Sequence, residues 1–554
     1  MIGVVCVQDQ EPFVSELFEL FKVPWEWCVA ARQYDVVITT GNTDPLPQAK
    51  LLIVCGPENK SCDVGELTKL SLSSETVLLE HEGPSFPIYG GVSYLESPHK
   101  PILKILGTDK VVGIEYNAQG QRIIRIGYDL FGEVEYLLLN GQPLDHALLP
   151  TLDIHIDLLR KWIVDAGICL VEIPPVPTGY GFVGCLTHDV DFINIRDHQL
   201  FDRSVLGFIA RSIFPSHLRD TRAEIVWSRI RKNWRALLSL PAVYLGLSRD
   251  TWFDIDRYMD LERGLGSTFY FIPLKDHAGE SSERTVPHWR AARYDVKEYR
   301  VLIAELKREN AEIGVHGLDA WKDPQKGIRE REILRSLSGD ESVGIRMHWL
   351  YFSKESPKVL EEAGFAYDST VGYNEANGFR CGTTQVFCLP GSIRLLELSL
   401  NVMDTALFYS KRMGLSEAEA MEQCKKVITA LRSYGGVLTI NWHTRSLSPE
   451  RNWDSFYLEL LDLLKVERVW FATASAAVDW FRRRRQIRFE DVEVTPRGVK
   501  VKLRARKAPD SPGFTLRVHH PARAVKMYEQ SRSSLGSNWI DAPLTGEPEI
   551  EVTV

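Results

Sequence analysis

Short apolar runs alternate with amphipathic stretches from the first residues of the chain. Asp35-Val36-Val37-Ile38-Thr39-Thr40 and Leu51-Leu52-Ile53-Val54-Cys55-Gly56 are apolar runs of strand length, and such runs read as buried strands. Residues 13–21 carry apolar positions at the 3.6-residue period of a helix. The stretches 111–116 and 122–128, joined by Asn117-Ala118-Gln119-Gly120, predict a hairpin. Together these predict an α/β domain over residues 1–150, with no Gly-rich phosphate loop and no His/Cys cluster to suggest its role. A helix over 148–166 then leads into Ile173-Pro174-Pro175-Val176-Pro177-Thr178-Gly179. Residues 151–179 therefore read as a helix followed by a Pro-rich linker.

Beyond the linker the pattern becomes a regular alternation of strand and helix. The run Gly181-Phe182-Val183-Gly184-Cys185-Leu186 opens it. Further strands are predicted at 267–272, 312–316, 343–348, 364–368, 395–399, 437–441 and 469–472. Helices are predicted at 296–310, 329–337, 416–433 and 453–464. Repeated strand–helix units over 180–483 favour a parallel α/β sheet or barrel. In such folds chemistry gathers at the C-terminal ends of the strands.

A long insertion, about 192–264, separates the first two strands. Its segment 222–240 is helical and rich in Arg, Trp and Leu, with Pro241 as a natural stop. A basic, aromatic helix of this kind packs on its own domain or lies on an anionic membrane surface. Arg482-Arg483-Arg484-Arg485 reads as a solvated helix end. The tail, 487–554, alternates apolar and polar residues and predicts a small C-terminal β-sandwich. The fold class expected from this pattern is α/β, a parallel α/β sheet or barrel flanked by an N-terminal α/β domain and this β-sandwich.

Composition narrows the partners. Sixty-six Lys+Arg against 74 Asp+Glu give a net charge of −8, which supports no nucleic-acid partner. The N-terminus lacks the basic region and apolar core of a signal peptide, and no apolar run is long enough to span a bilayer. The nine cysteines are scattered, without disulfide-frame or zinc-ligand spacing. A cytoplasmic protein is expected, peripheral at the membrane if the 222–240 helix makes such a contact.

The chemistry-bearing residues fall at strand ends. In Thr187-His188-Asp189-Val190-Asp191 the two carboxylates stand at i and i+2, hence on one side of a strand. Side by side and partly desolvated, they call for a metal, a shared proton or a cation. Glu312-Ile313-Gly314-Val315-His316 ends a strand on a His. Arg346 and His348 share one face of Gly344-Ile345-Arg346-Met347-His348-Trp349. Asn441-Trp442-His443 ends another strand. Two carboxylates, three His and one Arg from four strand termini make a compact metal or acid/base site.

These motifs, in this order, resemble the polysaccharide deacetylase (NodB-homology) family, carbohydrate esterase family 4. Thr187 to Asp191 is similar to its first motif in an Asp-x-Asp variant, and Ser267-Thr268-Phe269-Tyr270-Phe271 to its second strand. Glu312 to His316 is similar to the start of its second motif, Arg346-Met347-His348-Trp349 to its third, and Asn441-Trp442-His443 to its last. The resemblance covers about 180–483 and neither flank. It implies a distorted (β/α)7-type barrel for this region and metal-dependent hydrolysis of an N-acyl group on a sugar. Asp189 would be the general base, Asp191 and His316 metal ligands, Arg346 the holder of the base, and His443 the acid for the leaving amine.

The departures are specific. The family's second motif carries another His four residues after the first, where this chain has Ala320. His348 stands on the same face as Arg346 and is expected to complete an Asp191/His316/His348 site, with Asp319 the runner-up ligand. Asp368 or Asp404 would orient His443, and Arg380 and Trp349 would support or bind substrate. The expected activity is removal of an N-acyl group, most simply N-acetyl, from an amino sugar or saccharide. A nucleotide- or lipid-linked sugar fits best, and the cofactor would be a divalent metal, zinc first. The alternative is a degenerate barrel that binds saccharide without hydrolysing it, for which Ala320 is the motive.

Overall fold

A computed structural model of the chain describes residues 1–29, 32–41, 47–63, 68–73, 75–118, 120–213, 223–281, 286–495, 498–504, 511–521, 539–544 and 549–553. The chain divides into two compact units. One comprises Met1–Thr178, Cys381–Thr383 and Trp480–Val554; the other comprises Gly179–Arg380 and Thr384–Asp479.

The second unit carries the strand-end residues. Its ten strands are β1 (Phe182–Val190), β2 (Ser267–Phe271), β3 (Glu312–Gly317), β4 (Ile345–Met347), β5 (Tyr367–Asp368), β6 (Phe387–Cys388), β7 (Leu396–Glu397), β8 (Val402–Met403), β9 (Val437–Asn441) and β10 (Val469–Phe471). Their order is β6-β7-β5-β4-β3-β2-β1-β9-β8, with β10 paired to β1. Every pair is parallel except β6 with β7. This is a curled, parallel half-barrel sheet, with β6 and β8 as the ends of its path.

All nine residues of β1 are buried, as expected of a strand covered on both faces. Val183, Leu186 and Val190 are each fully buried, worth roughly 1.5–3 kcal/mol apiece. Close packing explains two glycines. A Cβ on Gly184 would stand 2.7 Å from Val469 Cγ1, and one on Gly344 would enter the Tyr367 ring. Because the strands are parallel, the C-terminal ends of β1, β3, β4 and β9 meet at one edge.

The helices that cover the sheet include α1 (Arg203–Ile213), α2 (Ala223–Tyr244), α3 (Ile255–Leu261), α4 (Arg300–Arg308), α5 (Pro324–Ser338), α6 (Ser356–Glu362), α7 (Asp404–Phe408), α8 (Glu417–Tyr434) and α9 (Asp454–Lys465). Their ends follow local chemistry. Ser416 and Glu419 form a capping box on α8, and Asp323 caps α5, which closes on left-handed Gly339.

The insertion contains α1, α2 and α3. Val205 and Phe208 of α1 pack with Ala236, Leu240 and Val243 of α2 and with Trp252. Pro241 does not stop α2, which continues to Tyr244. A proline this close to the end forfeits one backbone hydrogen bond, and the last turn is still closed by Leu245 N–H donating to the Pro241 carbonyl. No helix among the described residues is long and apolar enough to cross a membrane.

The first unit is built on a nine-stranded sheet. Trp25–Trp27, Ile2–Val5, Tyr34–Thr39, Ala49–Cys55 and Gln121–Ile126 form its parallel part. Val111–Ala118 pairs antiparallel with Gln121–Ile126 in the predicted hairpin, of which Gln119 lies outside the described residues. The tail enters two three-stranded sheets. Arg488–Thr495, Gly498–Arg504 and Glu549–Thr553 form one. Thr515–His519 pairs with Trp539–Pro543 and with Leu170–Glu172 in the other. That strand's Glu172 is buried against Arg160 (3.0 Å) and His519 (3.1 Å). The tail's arginines are not a solvated helix end. Arg484 is buried and donates to the carbonyls of Ile173 and Leu20, satisfying backbone acceptors that water cannot reach. All nine cysteines are free thiols.

Candidate active site

Side-chain alternation along β1 separates two roles. His188 points away from the strand-end cluster: its Nδ1 lies 2.8 Å from the Trp442 carbonyl and its Nε2 3.1 Å from Glu262 Oε2. It is a packed structural histidine. Asp189, one position on, faces the opposite side, and Asp191 follows it just past the strand end.

Asp189 is buried and fully engaged. Arg346 Nη1 donates to its Oδ1 at 3.0 Å, and Asn441 Nδ2 donates to its Oδ2 at 2.6 Å. The Arg346 guanidinium is itself fully buried. It also donates to Thr187 Oγ1 (2.7 Å), the Ser369 carbonyl (3.1 Å) and Ser369 Oγ (2.8 Å). Its carbon lies 4.6 Å from the Tyr270 ring centre. Burial works against its charge, but Asp189 more than offsets this and raises its pKa. A buried pair persists only when its remaining hydrogen-bonding groups are satisfied, and here each guanidinium nitrogen has a partner.

Asp191, His316 and His348 bring one ligand atom each to within 4.8 Å of one another. His316 Nε2 lies 3.3 Å and His348 Nε2 3.5 Å from Asp191 Oδ1. His316 Nδ1 is 2.9 Å from the Arg346 carbonyl. That oxygen can only accept, so Nδ1 carries the proton and Nε2 presents its lone pair. Asp191 Oδ1 is buried without any hydrogen-bond partner, an arrangement that costs free energy unless a cation compensates it. Burial pushes the Asp191 carboxyl up, but His348, His316 and His443 outweigh this and hold it low. Burial keeps the His348 imidazole neutral, well below its ordinary pKa. One carboxylate and two imidazoles form a donor set that fits a divalent metal.

His443 follows β9 on the other side of Asp191, with Nε2 3.9 Å from Asp191 Oδ2. Its Nδ1 is 2.7 Å from Asp404 Oδ1, and its backbone N–H donates to Asp404 Oδ2 at 2.7 Å. Ser446 Oγ also donates to Oδ2, at 2.5 Å. Burial lowers the His443 pKa, but Asp404, with help from Asp191 and Asp189, more than reverses the effect and raises it.

The remaining sequence-predicted residues lie as follows. Asp404, not Asp368, orients His443; Asp368 hydrogen-bonds Thr370 and the backbone there. Asp319 is not in the ligand cluster. Its carboxylate takes His277 Nε2 at 2.8 Å and the Glu280 N–H at 2.7 Å. Arg380 donates to the Gly372 carbonyl and is exposed, outside the cavity over the site. Trp349 lines that cavity, and both it and Leu350 adopt left-handed backbone, φ 65° and 55°. Two consecutive non-glycine residues held there store strain directly after His348.

Asn441 is a site residue that strand periodicity alone does not single out. The signal available was register, since it pairs opposite Thr187 on β1. The arginines of the cavity wall, dispersed over loops and helices, have no sequence signal at all. The cavity measures about 410 Å³ and contains Asp189, Asp191, His316, His348 and His443.

No family model and no curated protein matches the sequence. Among solved structures, the chain is similar to one from Mycobacterium smegmatis described as a polysaccharide deacetylase, at 19% identity over 56% of this chain and 95% of that one, TM-score 0.33. It is similar to Puue allantoinase at 16% identity over 56% and 92%, TM-score 0.34. A Pseudomonas aeruginosa PAO1 chain described as a polysaccharide deacetylase matches at 15% over 56% and 94%, TM-score 0.34. Likenesses of this strength leave the functional reading to the geometry of the site.

Proposed function

We propose that this chain is a metal-dependent amide hydrolase that removes an N-acyl group, most simply N-acetyl, from an amino sugar or saccharide. The observation that carries the reading is that Asp189 Oδ2 lies 3.7 Å from His316 Nε2, and His443 Nε2 3.9 Å from Asp191 Oδ2, beside an Asp191/His316/His348 donor set. A divalent metal held there, for which two His and one carboxylate suit zinc, would polarise the amide carbonyl and the attacking water.

The chain's own residues supply the proton transfers. Asp189, held by Arg346 and Asn441, accepts the proton of the attacking water. His443 holds a proton on Nε2 and gives it to the departing amine. Asp404 orients the imidazole and favours its charged form, which keeps that proton available for the transfer. A saccharide ring suits the mouth of the cavity. Trp289 and Trp349, with ring centres 5.2 Å apart, offer apolar faces beside polar side chains.

Metal analysis of the purified protein, combined with acyl release from N-acetylated amino sugars, tests the reading. The expected result is about one divalent metal per chain and release that a chelator abolishes and zinc restores. Absence of both metal and release overturns it, and a degenerate saccharide-binding barrel then takes its place.

A further inference from the structure

The cavity over the metal donor set is lined by six arginines, Arg203, Arg211, Arg290, Arg412, Arg445 and Arg451, and by two carboxylates, Asp189 and Asp191. Both carboxylates are committed, one to Arg346 and Asn441, the other to the histidines. Arg445 pairs with Glu450 at 2.8 Å. Among the described residues the other five have no carboxylate within ion-pair distance; their partners are neutral. Arg451 donates to Tyr409 Oη (2.8 Å) and Ser446 Oγ (3.2 Å), and Arg412 to Thr405 Oγ1 (2.6 Å). Arg290 is buried and spends its Nη2 on the His348 carbonyl at 2.5 Å. Arg203 lies 4.8 Å from the Trp289 ring centre.

Arg412 and Arg451 each lie 5.5 Å from the Tyr409 ring centre. The Nε of Arg211 is buried with no hydrogen-bond partner among the described residues. Burial, and then the charge of Arg451, lower the Arg211 pKa against the opposing pull of Glu450, whereas Asp404 and Glu450 help to raise that of Arg451. Like charges gathered in a concave, partly dry wall are costly unless an anion compensates them. One carboxylate would occupy a single guanidinium fork, whereas phosphate oxygens take several at once.

We propose that the amino sugar hydrolysed here carries a phosphate or diphosphate ester, gripped by Arg211, Arg412 and Arg451 while the acyl amide lies between Asp189 and His443. The inference rests on the hydrolase reading and names its substrate class. It also explains why the insertion is present. Helix α1 contributes Arg203 and Arg211 to the wall, and its buried Val205 and Phe208 anchor it on α2. The phosphate ester has two sources, a nucleoside diphosphate or a lipid carrier. The insertion favours the lipid: Phe201, Trp227, Leu238, Leu245 and Leu247 are all at least 70% exposed, and Arg231 and Arg235 of α2 are exposed among them.

Inorganic pyrophosphate, titrated calorimetrically into metal-stripped full-length protein, tests the grip without turnover and without a metal to bind it. Wild type is expected to bind, and Arg211→Gln/Arg412→Gln to bind about 100-fold more weakly while keeping its thermal unfolding midpoint. No binding by wild type, or equal binding by the folded variant, overturns the proposal. Competition then identifies the source. A polyprenyl-diphosphate N-acetyl sugar in detergent micelles is expected to displace pyrophosphate at lower concentration than a nucleoside-diphosphate N-acetyl sugar. The reverse order assigns the phosphate to a nucleotide, and displacement by neither contradicts the proposal. Acyl release from neutral sugars without pyrophosphate binding defeats this inference alone. Pyrophosphate binding by a protein that never releases acyl groups defeats the hydrolase reading instead.

Discussion

His348 Nε2 approaches the same oxygen of Asp191, at 3.5 Å, that His316 Nε2 approaches at 3.3 Å. The two imidazoles come from adjacent parallel strands, β3 and the end of β4, with ring centres 4.8 Å apart. Ala320 is fully buried, and a Cβ on Gly327 of α5 would meet its methyl at 3.4 Å. An imidazole at position 320 would have to displace helix packing, whereas position 348 opens onto the cavity.

Removing that imidazole leaves two ligands where catalytic zinc ordinarily has three. His348→Ala is expected to weaken zinc binding by about 100-fold or more, read by competition with a chromogenic chelator. Asp319→Ala, whose carboxylate faces His277, leaves zinc affinity within about threefold of wild type on the same reasoning. The opposite ranking would assign the third ligand to Asp319.

Asp404 touches no ligand atom, yet it holds His443 at both Nδ1 and the backbone N–H. Asp404→Asn keeps the shape and loses the charge that raises the His443 pKa. Its kcat should fall by about 100-fold or more with zinc content unchanged. The basic limb of its kcat profile should also move to lower pH, because the imidazolium loses its proton sooner. Loss of activity with loss of metal would show a structural role only.

Arg346 sits fully buried among Asp189, Thr187 and Ser369. Arg346→Met takes from the buried Asp189 carboxylate its guanidinium partner, leaving the Asn441 amide and His316, whose Nε2 is 3.7 Å from Oδ2. A destabilisation of about 3–5 kcal/mol is expected, as for other broken buried pairs, measured by urea unfolding. Combining it with Asp189→Asn should recover part of the loss, because the uncompensated charge is gone.

The first unit has its own pH signature. His155 is buried beside Phe86 and 3.4 Å from Tyr128 Oη, and its Nε2 has no partner. Burial, with a smaller push from His81, lowers its pKa from 6.5 to about 3. Below about pH 6.5 the unfolded chain takes a proton that the folded chain refuses. The contribution to stability is therefore complete above that pH and lost as pH falls toward 3, by about 5 kcal/mol at most. The difference between wild type and His155→Phe in urea unfolding, followed from pH 7 to 4, should show this slope. A difference that stays flat contradicts it.

Much of the strand framework was legible because buried parallel strands are continuous apolar runs. β1, β2, β3 and β9 lie where the runs do, and parallel order alone places Asp189, His316, Arg346 and His443 at one edge. What the sequence could not supply was tertiary. Asp368 ends one short strand and Asp404 follows another, and only the fold brings one of them to His443. Arg484 lies in a run of four arginines that reads as solvated, yet its own guanidinium is spent on buried carbonyls. The cavity arginines come from α1, from the β2–β3 connection and from the segments after α7 and β9. No local pattern links them. The left-handed pair Trp349-Leu350 is invisible for a different reason, since neither residue type favours that conformation and packing imposes it.

The central claim is that Asp189 acts as the base of an amide hydrolysis at an Asp191/His316/His348 metal site. Zinc-reconstituted wild type and Asp189→Asn, each assayed for free acyl acid and free amine from an N-acetylated, phosphate-linked amino sugar, test it most directly. The wild type should yield the two products in equal amounts. The variant should carry the same zinc and yield at least about 1,000-fold less of both. Equal turnover by the folded, zinc-loaded variant, or no product from the wild type, would contradict the account.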